Sequence, residues 1–206
     1  MKPKNKSFFN LDATLEHAVK DLSVKDPQKV AADSASDYNP EEGRISLIFL
    51  QDRYHVNHPS GEVITDTGDK ASTYNAIIIL HYLNTADGTP LEGRWISFKE
   101  LTGGQIYTEP FRNRAIVPLI KTFGDRPEAF LQAARSIGGK AGDDKNKYSM
   151  IIPVLPRVKI NFILFPGDEE FPASGNILLD ASANNYLPTE DYAHLPGMII
   201  RKMSGK

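Results

Sequence analysis

Two apolar, β-rich runs, Tyr148–Leu155 and Val158–Phe165, are separated only by Pro156-Arg157, and that spacing constrains the fold more than any other feature. A parallel pair needs a long crossover, and this link is too short for one. The two runs must therefore turn back on each other as an antiparallel hairpin.

The remaining pattern groups strands in the middle of the chain and helices toward its ends. Leu11, Leu15, Ala18, Val19 and Leu22 recur at helical spacing behind Asn10, a candidate N-cap. Asp26-Pro27 is a second start signal, a capping residue followed by a first-turn proline, for a short helix that ends in Ser34–Asp37. After the turn cluster Asn39–Gly43, the segments Arg44–Leu50, Arg53–Val56 and Glu62–Thr65 read as an antiparallel meander. Ser72–Asn84 predicts a buried helix, with a strand as the alternative for Ile77-Ile78-Ile79. Trp95–Phe98 predicts a brief strand and Leu101–Gly104 a loop. Pro110–Phe123 predicts a helix in which Pro118 is a candidate kink. Asp125–Ile137 predicts another, capped by Asp125 and stopped by Gly138-Gly139, and Ala141–Lys147 a charged loop. Pro166–Asn176 reads as an acidic loop and Ile177–Leu179 as a short apolar run. Thr189 is expected to cap a last helix with Glu190 and Asp191 in its first turn. No strand–helix alternation repeats, so the fold class is α+β: one domain over residues 1–206, mainly antiparallel sheet, with helices packed on it at both chain ends. Residues 1–9 are expected to be a flexible tail.

A chain of 206 residues can bury a core without covalent staples, and this one has none to use, because it contains no cysteine. That excludes disulfides, thiolate-bound zinc, an iron–sulfur cluster held by this chain and a thiol nucleophile. The formal net charge of −2 gives no global field to hold nucleic acid or an anionic membrane. The basic start is followed by no apolar signal core, and the longest apolar run, around Ala76–Leu80, is far short of a membrane span. The expectation is a soluble, cytoplasmic protein.

The common catalytic motifs are missing. Gly138-Gly139-Lys140-Ala141 has no Ser or Thr after the lysine, and no glycine-rich fingerprint, serine elbow or zinc-protease histidine pair occurs. His55 and His58 flank a turn and could share an ion with Asp66 or Asp69, but incidental histidines on a hairpin are the better reading, so no metal site is assigned. His81 reads as a satisfied core histidine, and His194 carries no local motif.

Two charged features stand out. From Pro166 to Ile200 there is no Lys or Arg, while Asp168, Glu169, Glu170, Asp180, Glu190 and Asp191 all fall there, interleaved with Phe171, Tyr186 and Tyr192. Clustered carboxylates gain from a cation, a basic partner or a hydrogen-bond donor. Arg94 beside Trp95, and Arg112 with Arg114, supply planar donor forks suited to carboxylates or phosphates. The plain reading is a solvated loop with helix-start charges, and arginines paired internally with the acidic tail; the functional readings are a recognition surface on that tail, or an arginine–carboxylate cleft. The cleft would use Asp180 or Glu190 as base and Arg94 or Arg112 to hold an anionic substrate.

Three stretches carry a resemblance when taken together. They are Gly88-Thr89-Pro90-Leu91 with Gly93–Leu101; Leu155-Pro156-Arg157-Val158; and Gly167–Pro172 with Tyr186–Asp191. In that order they resemble an uncharacterised family of anaerobic prokaryotes, number 3786 among the domains of unknown function, over nearly the whole chain. Some members resemble proteins joined to a four-cysteine iron–sulfur module. The resemblance therefore implies an anaerobic redox or corrinoid context, reached through a partner that is an iron–sulfur or corrinoid protein; the iron–sulfur centre belongs to another polypeptide, since this chain has no cysteine. It supplies no catalytic residues. The sequence reading favours a non-enzymatic binding or accessory domain, with no cofactor evident, and keeps the small-molecule cleft as its alternative.

Overall fold

The structure is a computed structural model describing residues 11–142 and 146–205. The expected N-terminal tail, the N-cap Asn10 and part of the loop Ala141–Lys147 lie outside the described residues.

The first helix, α1 (Leu11–Ser23), buries Ala18 and Leu22. Helix α2 (Pro27–Asp33) begins as its sequence dictates, with the Asp26 carboxylate accepting the Gln28 N–H at 3.0 Å and Pro27 in the first turn. Strands β1 (Asp37–Asn39), β2 (Arg44–Phe49), β3 (Asp52–Asn57) and β4 (Glu62–Thr65) form an antiparallel sheet in sequential order. The meander is thus present, with β1 added at its edge. Between β2 and β3 the chain reverses through Leu50 and Gln51, both at positive φ (49° and 76°). Two such residues are what the tightest hairpin turn requires, although Asn and Gly usually fill it. Leu50 is held there by burial and by its N–H, which donates to the Val154 carbonyl at 3.0 Å.

Helix α3 (Thr73–Thr85) is capped by Ser72, whose hydroxyl accepts the Asn75 N–H. Nearly every residue from Ala76 to Leu83 is buried, so this apolar run is a helix covered on all sides rather than a strand. Its Tyr82 hydroxyl donates to the Ser34 carbonyl at 2.5 Å and accepts the Arg157 N–H at 3.1 Å, tying α2 and the central hairpin to α3.

The second sheet contains β5 (Trp95–Ser97), β6 (Lys140–Ala141), β7 (Ser149–Leu155), β8 (Val158–Phe165) and β9 (Ser174–Asp180), antiparallel throughout in the order β5-β9-β8-β7-β6. The β7–β8 pair is the predicted hairpin, closing at Leu155 opposite Val158. Strand β9 starts earlier than its apolar run suggests. Ser174, Gly175 and Asn176 pair with Phe165, Leu164 and Ile163, so the acidic loop shortens to residues 166–173.

Helix α4 (Thr108–Phe111) runs through a π-helical turn, Arg112–Ile116, into α5 (Val117–Phe123). The Val117 N–H reaches back five residues to the Arg112 carbonyl. The irregularity therefore precedes Pro118 rather than centring on it. Helix α6 (Pro127–Ser136) has Arg126 at its N-cap, not Asp125, because the Arg126 N–H bonds back to Phe123 (2.8 Å) and leaves Asp125 in the turn. Gly138, at φ 82°, ends it. Helix α7 (Thr189–Met203) begins as expected, but Thr189 does not cap it; its hydroxyl donates instead to the Thr102 carbonyl at 2.7 Å.

A single hydrophobic cluster joins both sheets, α3 and α7. No helix among the described residues is long and apolar enough to cross a membrane.

Candidate functional site

The structure places the predicted site residues in separate locations. Asp168, Glu169 and Glu170 are exposed on the loop joining β8 to β9. Asp168 serves that loop, its Oδ1 accepting the N–H groups of Glu170 (2.9 Å) and Phe171 (2.7 Å). Asp180 is 5% exposed, and its carboxylate accepts the N–H groups of Glu92, Gly93 and Ser182 and the Ser182 hydroxyl. Burial opposes its charged form, but these donors outweigh burial and lower its pKa. Asp180 is thus a structural anchor rather than a base. Tyr186 is buried, with its hydroxyl on the Thr89 carbonyl. Arg94 pairs with Glu92 at 3.0 Å, and its neighbour Trp95 lies opposite Asp180 in the sheet. Arg112 is exposed. None of these arginines bonds to the acidic residues of the tail among the described residues.

Arg114 is different. Exposed at the centre of the π turn, it directs Nη1 to Nε2 of His194 on α7 at 3.1 Å. A guanidinium only donates, so His194 Nε2 must accept and the ring is neutral. Burial, and then the charge of Arg114, lower the His194 pKa against the pull of Asp191. The Tyr74 ring of α3 stands edge-on to His194 with centroids 6.3 Å apart. Burial first, and then Asp191, push the Tyr74 pKa up to about 12.

This group lines an open cleft of about 880 Å³. One wall is the β2–β3 turn with Phe49, Leu50 and Tyr54; another is the start of α3, with Ser72, Tyr74 and Asn75. Arg114, Pro118 and Thr122 face them, and α7 supplies His194, Gly197, Met198, Arg201 and Lys202. Lys202 is neutralised by Asp52 at 2.6 Å. Arg114 and Arg201 form no ion pair among the described residues. The cleft therefore combines apolar walls with two guanidinium groups that hold no ion pair among the described residues, a combination suited to an organic anion. A smaller cavity of about 100 Å³ lies behind it, lined by Tyr107, Glu190, Arg114 and His194. There the Tyr107 hydroxyl donates to Glu190 at 2.7 Å. Glu190 and Arg114 are thus a predicted carboxylate and a predicted arginine that the fold brings to a common cavity.

The backbone explains why Arg114 sits where it does. Pro118 has no N–H to offer the carbonyl four residues earlier, that of Arg114. That oxygen turns toward α7, where a Cβ on Gly197 would lie 2.5 Å from it. Only glycine lets the helix and the π turn approach so closely. π turns of this kind recur at functional sites.

Three other arrangements complete the picture. His81 bonds through Nδ1 to Asp191 at 2.7 Å, linking α3 to α7 one turn before His194. The expected satisfied histidine is therefore found, with its partner in the acidic tail. His55 is engaged on both ring nitrogens, by Ser46 (2.8 Å) and Asp66 (3.1 Å), across the first sheet. Neither cavity is lined by these residues, and the chain Ser46–His55–Asp66 links strands. His58 has a buried Nε2 with no hydrogen-bond partner among the described residues.

The fold and the cleft define an α+β protein with two antiparallel sheets and a basic pocket between a π turn and the last helix. The family model described as a domain of unknown function, DUF3786, matches residues 26–202, and the chain belongs to that family. No curated protein and no solved structure matches it.

Proposed function

We propose that this protein binds a small organic oxyanion, a phosphate or carboxylate on an apolar body, in the cleft between the π turn and α7. The supporting observation is Arg114, a guanidinium with no carboxylate partner among the described residues, aimed along the cleft wall by a backbone distortion and one imidazole. Arg201 offers a second fork, while Phe49, Tyr74 and Met198 supply apolar contact. Phenyl phosphate tests the reading against phenol, which has the same ring without the anion. Phenyl phosphate is expected to raise the melting temperature, more at low salt, and phenol to leave it unchanged. Arg114→Ala is expected to abolish the difference. Equal effects of the two compounds would remove the reading.

A second reading concerns the tip of the β8–β9 loop. Phe171 is 67% exposed there and Phe165 47%, beside the carboxylates of Glu169 and Glu170. Aromatic anchors ringed by charge are typical of protein recognition surfaces. The tip suits a partner with an apolar pocket and a basic rim. An iron–sulfur or corrinoid protein of an anaerobic redox system is the candidate to try first. An immobilised chain should retain such a protein, and lose it when Phe171 becomes Ser.

A further inference from the structure

Arg114 and His194 line both cavities, so their hydrogen bond sits where the large cleft and the small one share residues. The bond is conditional. It exists only while His194 Nε2 carries no proton, because a protonated imidazole and a guanidinium are both donors and both cations. It also holds the guanidinium in competition with any anion that enters, since Arg114 is the cation such an anion would seek.

Resting on the cleft reading, we propose that the oxyanion is taken up together with one proton. Arg114 turns from the imidazole to the ligand, and His194 accepts a proton from solvent at Nε2 to become a further cation of the site.

The surroundings of His194 favour this exchange. Tyr74 faces it from α3 and stays neutral through the physiological range. Burial is the first influence against the charged ring and the charge of Arg114 the second, while Asp191 on its own helix favours it. Tyr107 and Glu190 border the small cavity, where their hydrogen bond to each other occupies one Glu190 oxygen. With Arg114 drawn toward an anion, the opposing charge is offset while the favouring one remains. The ring that was a neutral acceptor then shares its cavity with Glu190 and feels the favouring charge of Asp191.

Linkage gives the sign. Binding that raises the pKa of His194 is stronger at lower pH. Affinity changes by about tenfold per pH unit between the free and bound midpoints, and levels off below the free one. The free midpoint lies below the ordinary 6.5.

The probe is naphthalene-1-sulfonate, whose charge is constant over the range. Calorimetric titrations at pH 6.5 in buffers of different ionisation enthalpy should show net proton uptake on binding, and none in His194→Gln. His194→Gln keeps an oxygen that accepts from Arg114 but cannot titrate. It should bind with an affinity that no longer varies with pH. Wild-type binding without proton uptake, or an unchanged slope in His194→Gln, overturns the coupling and leaves the cleft reading standing. No binding at any pH removes both.

Discussion

The α-carbon of Gly197 rests against the backbone carbonyl of Arg114, so closely that a Cβ there would stand 2.5 Å from the oxygen. Pro196 and Gly197 are poor residues for the middle of a helix, together disfavoured by roughly 4 kcal/mol relative to alanine. The place of Gly197 in α7 is explained by the π turn it receives. Gly197→Ala forces the helix and the turn apart. It should cost about 1–3 kcal/mol in urea denaturation, as overpacked contacts do. It should also weaken phenyl phosphate binding by displacing Arg114. A stable variant with normal binding would show that the close approach does not position the arginine.

The His81–Asp191 pair makes stability depend on pH. Burial opposes a charged His81, but the hydrogen bond and charge of Asp191 outweigh it, and the pKa is raised above 6.5. A raised histidine stabilises fully below its unfolded pKa, and that contribution is lost as pH rises through the folded one. Asp191→Asn should therefore destabilise more at pH 5.5 than at pH 8.5. Denaturant midpoints across that range check it, and an equal loss at both ends contradicts it.

Asp180 carries the opposite sign. Its folded pKa lies below 3.8, so its contribution is present above that value and fades as pH falls through the folded pKa. Asp180→Asn replaces an acceptor of four hydrogen bonds by a group half of which donates. A loss of about 1–3 kcal/mol near neutral pH is expected. The loss should shrink at acid pH, where the wild-type carboxylate is itself protonated. A neutral substitution would show that the loop at Glu92 and Gly93 needs no anchor.

The acidic tip separates fold from capture. Glu169→Lys with Glu170→Lys changes only exposed side chains, so thermal stability should stay within the small range usual for surface substitutions. Retention of a basic partner should fall sharply. Asp168 is left unchanged, because its carboxylate holds two N–H groups of the loop. A retained partner with both glutamates reversed would place the interface elsewhere.

The sequence made some elements legible because their information is local. The β7–β8 hairpin follows from two apolar runs with no room between them, and α2 from a capping aspartate before a proline. Strand β1 was illegible because Asp37, Tyr38 and Asn39 have no strand signature and extend only by pairing with β2. The cleft was illegible for a related reason. Its walls come from residues 49–54, 72–75, 114–122 and 194–204, and no segment carries a motif alone. Charge density along the chain drew attention to Asp168, Asp180 and Asp191, yet Asp168 serves its own loop and the other two are committed to neighbours that sequence distance hides. The signals that could have found the site were Pro118 following an arginine pair, and Pro196-Gly197 inside an otherwise helical run.

Native mass spectrometry of the protein isolated from its own host, wild type beside Arg114→Ala, tests the central claim most directly. The account predicts a reproducible small adduct on the wild-type chain, of a mass belonging to an acidic organic molecule, and its loss from the variant. An adduct equally present on both, or a bare chain that also ignores added phenyl phosphate, would contradict it.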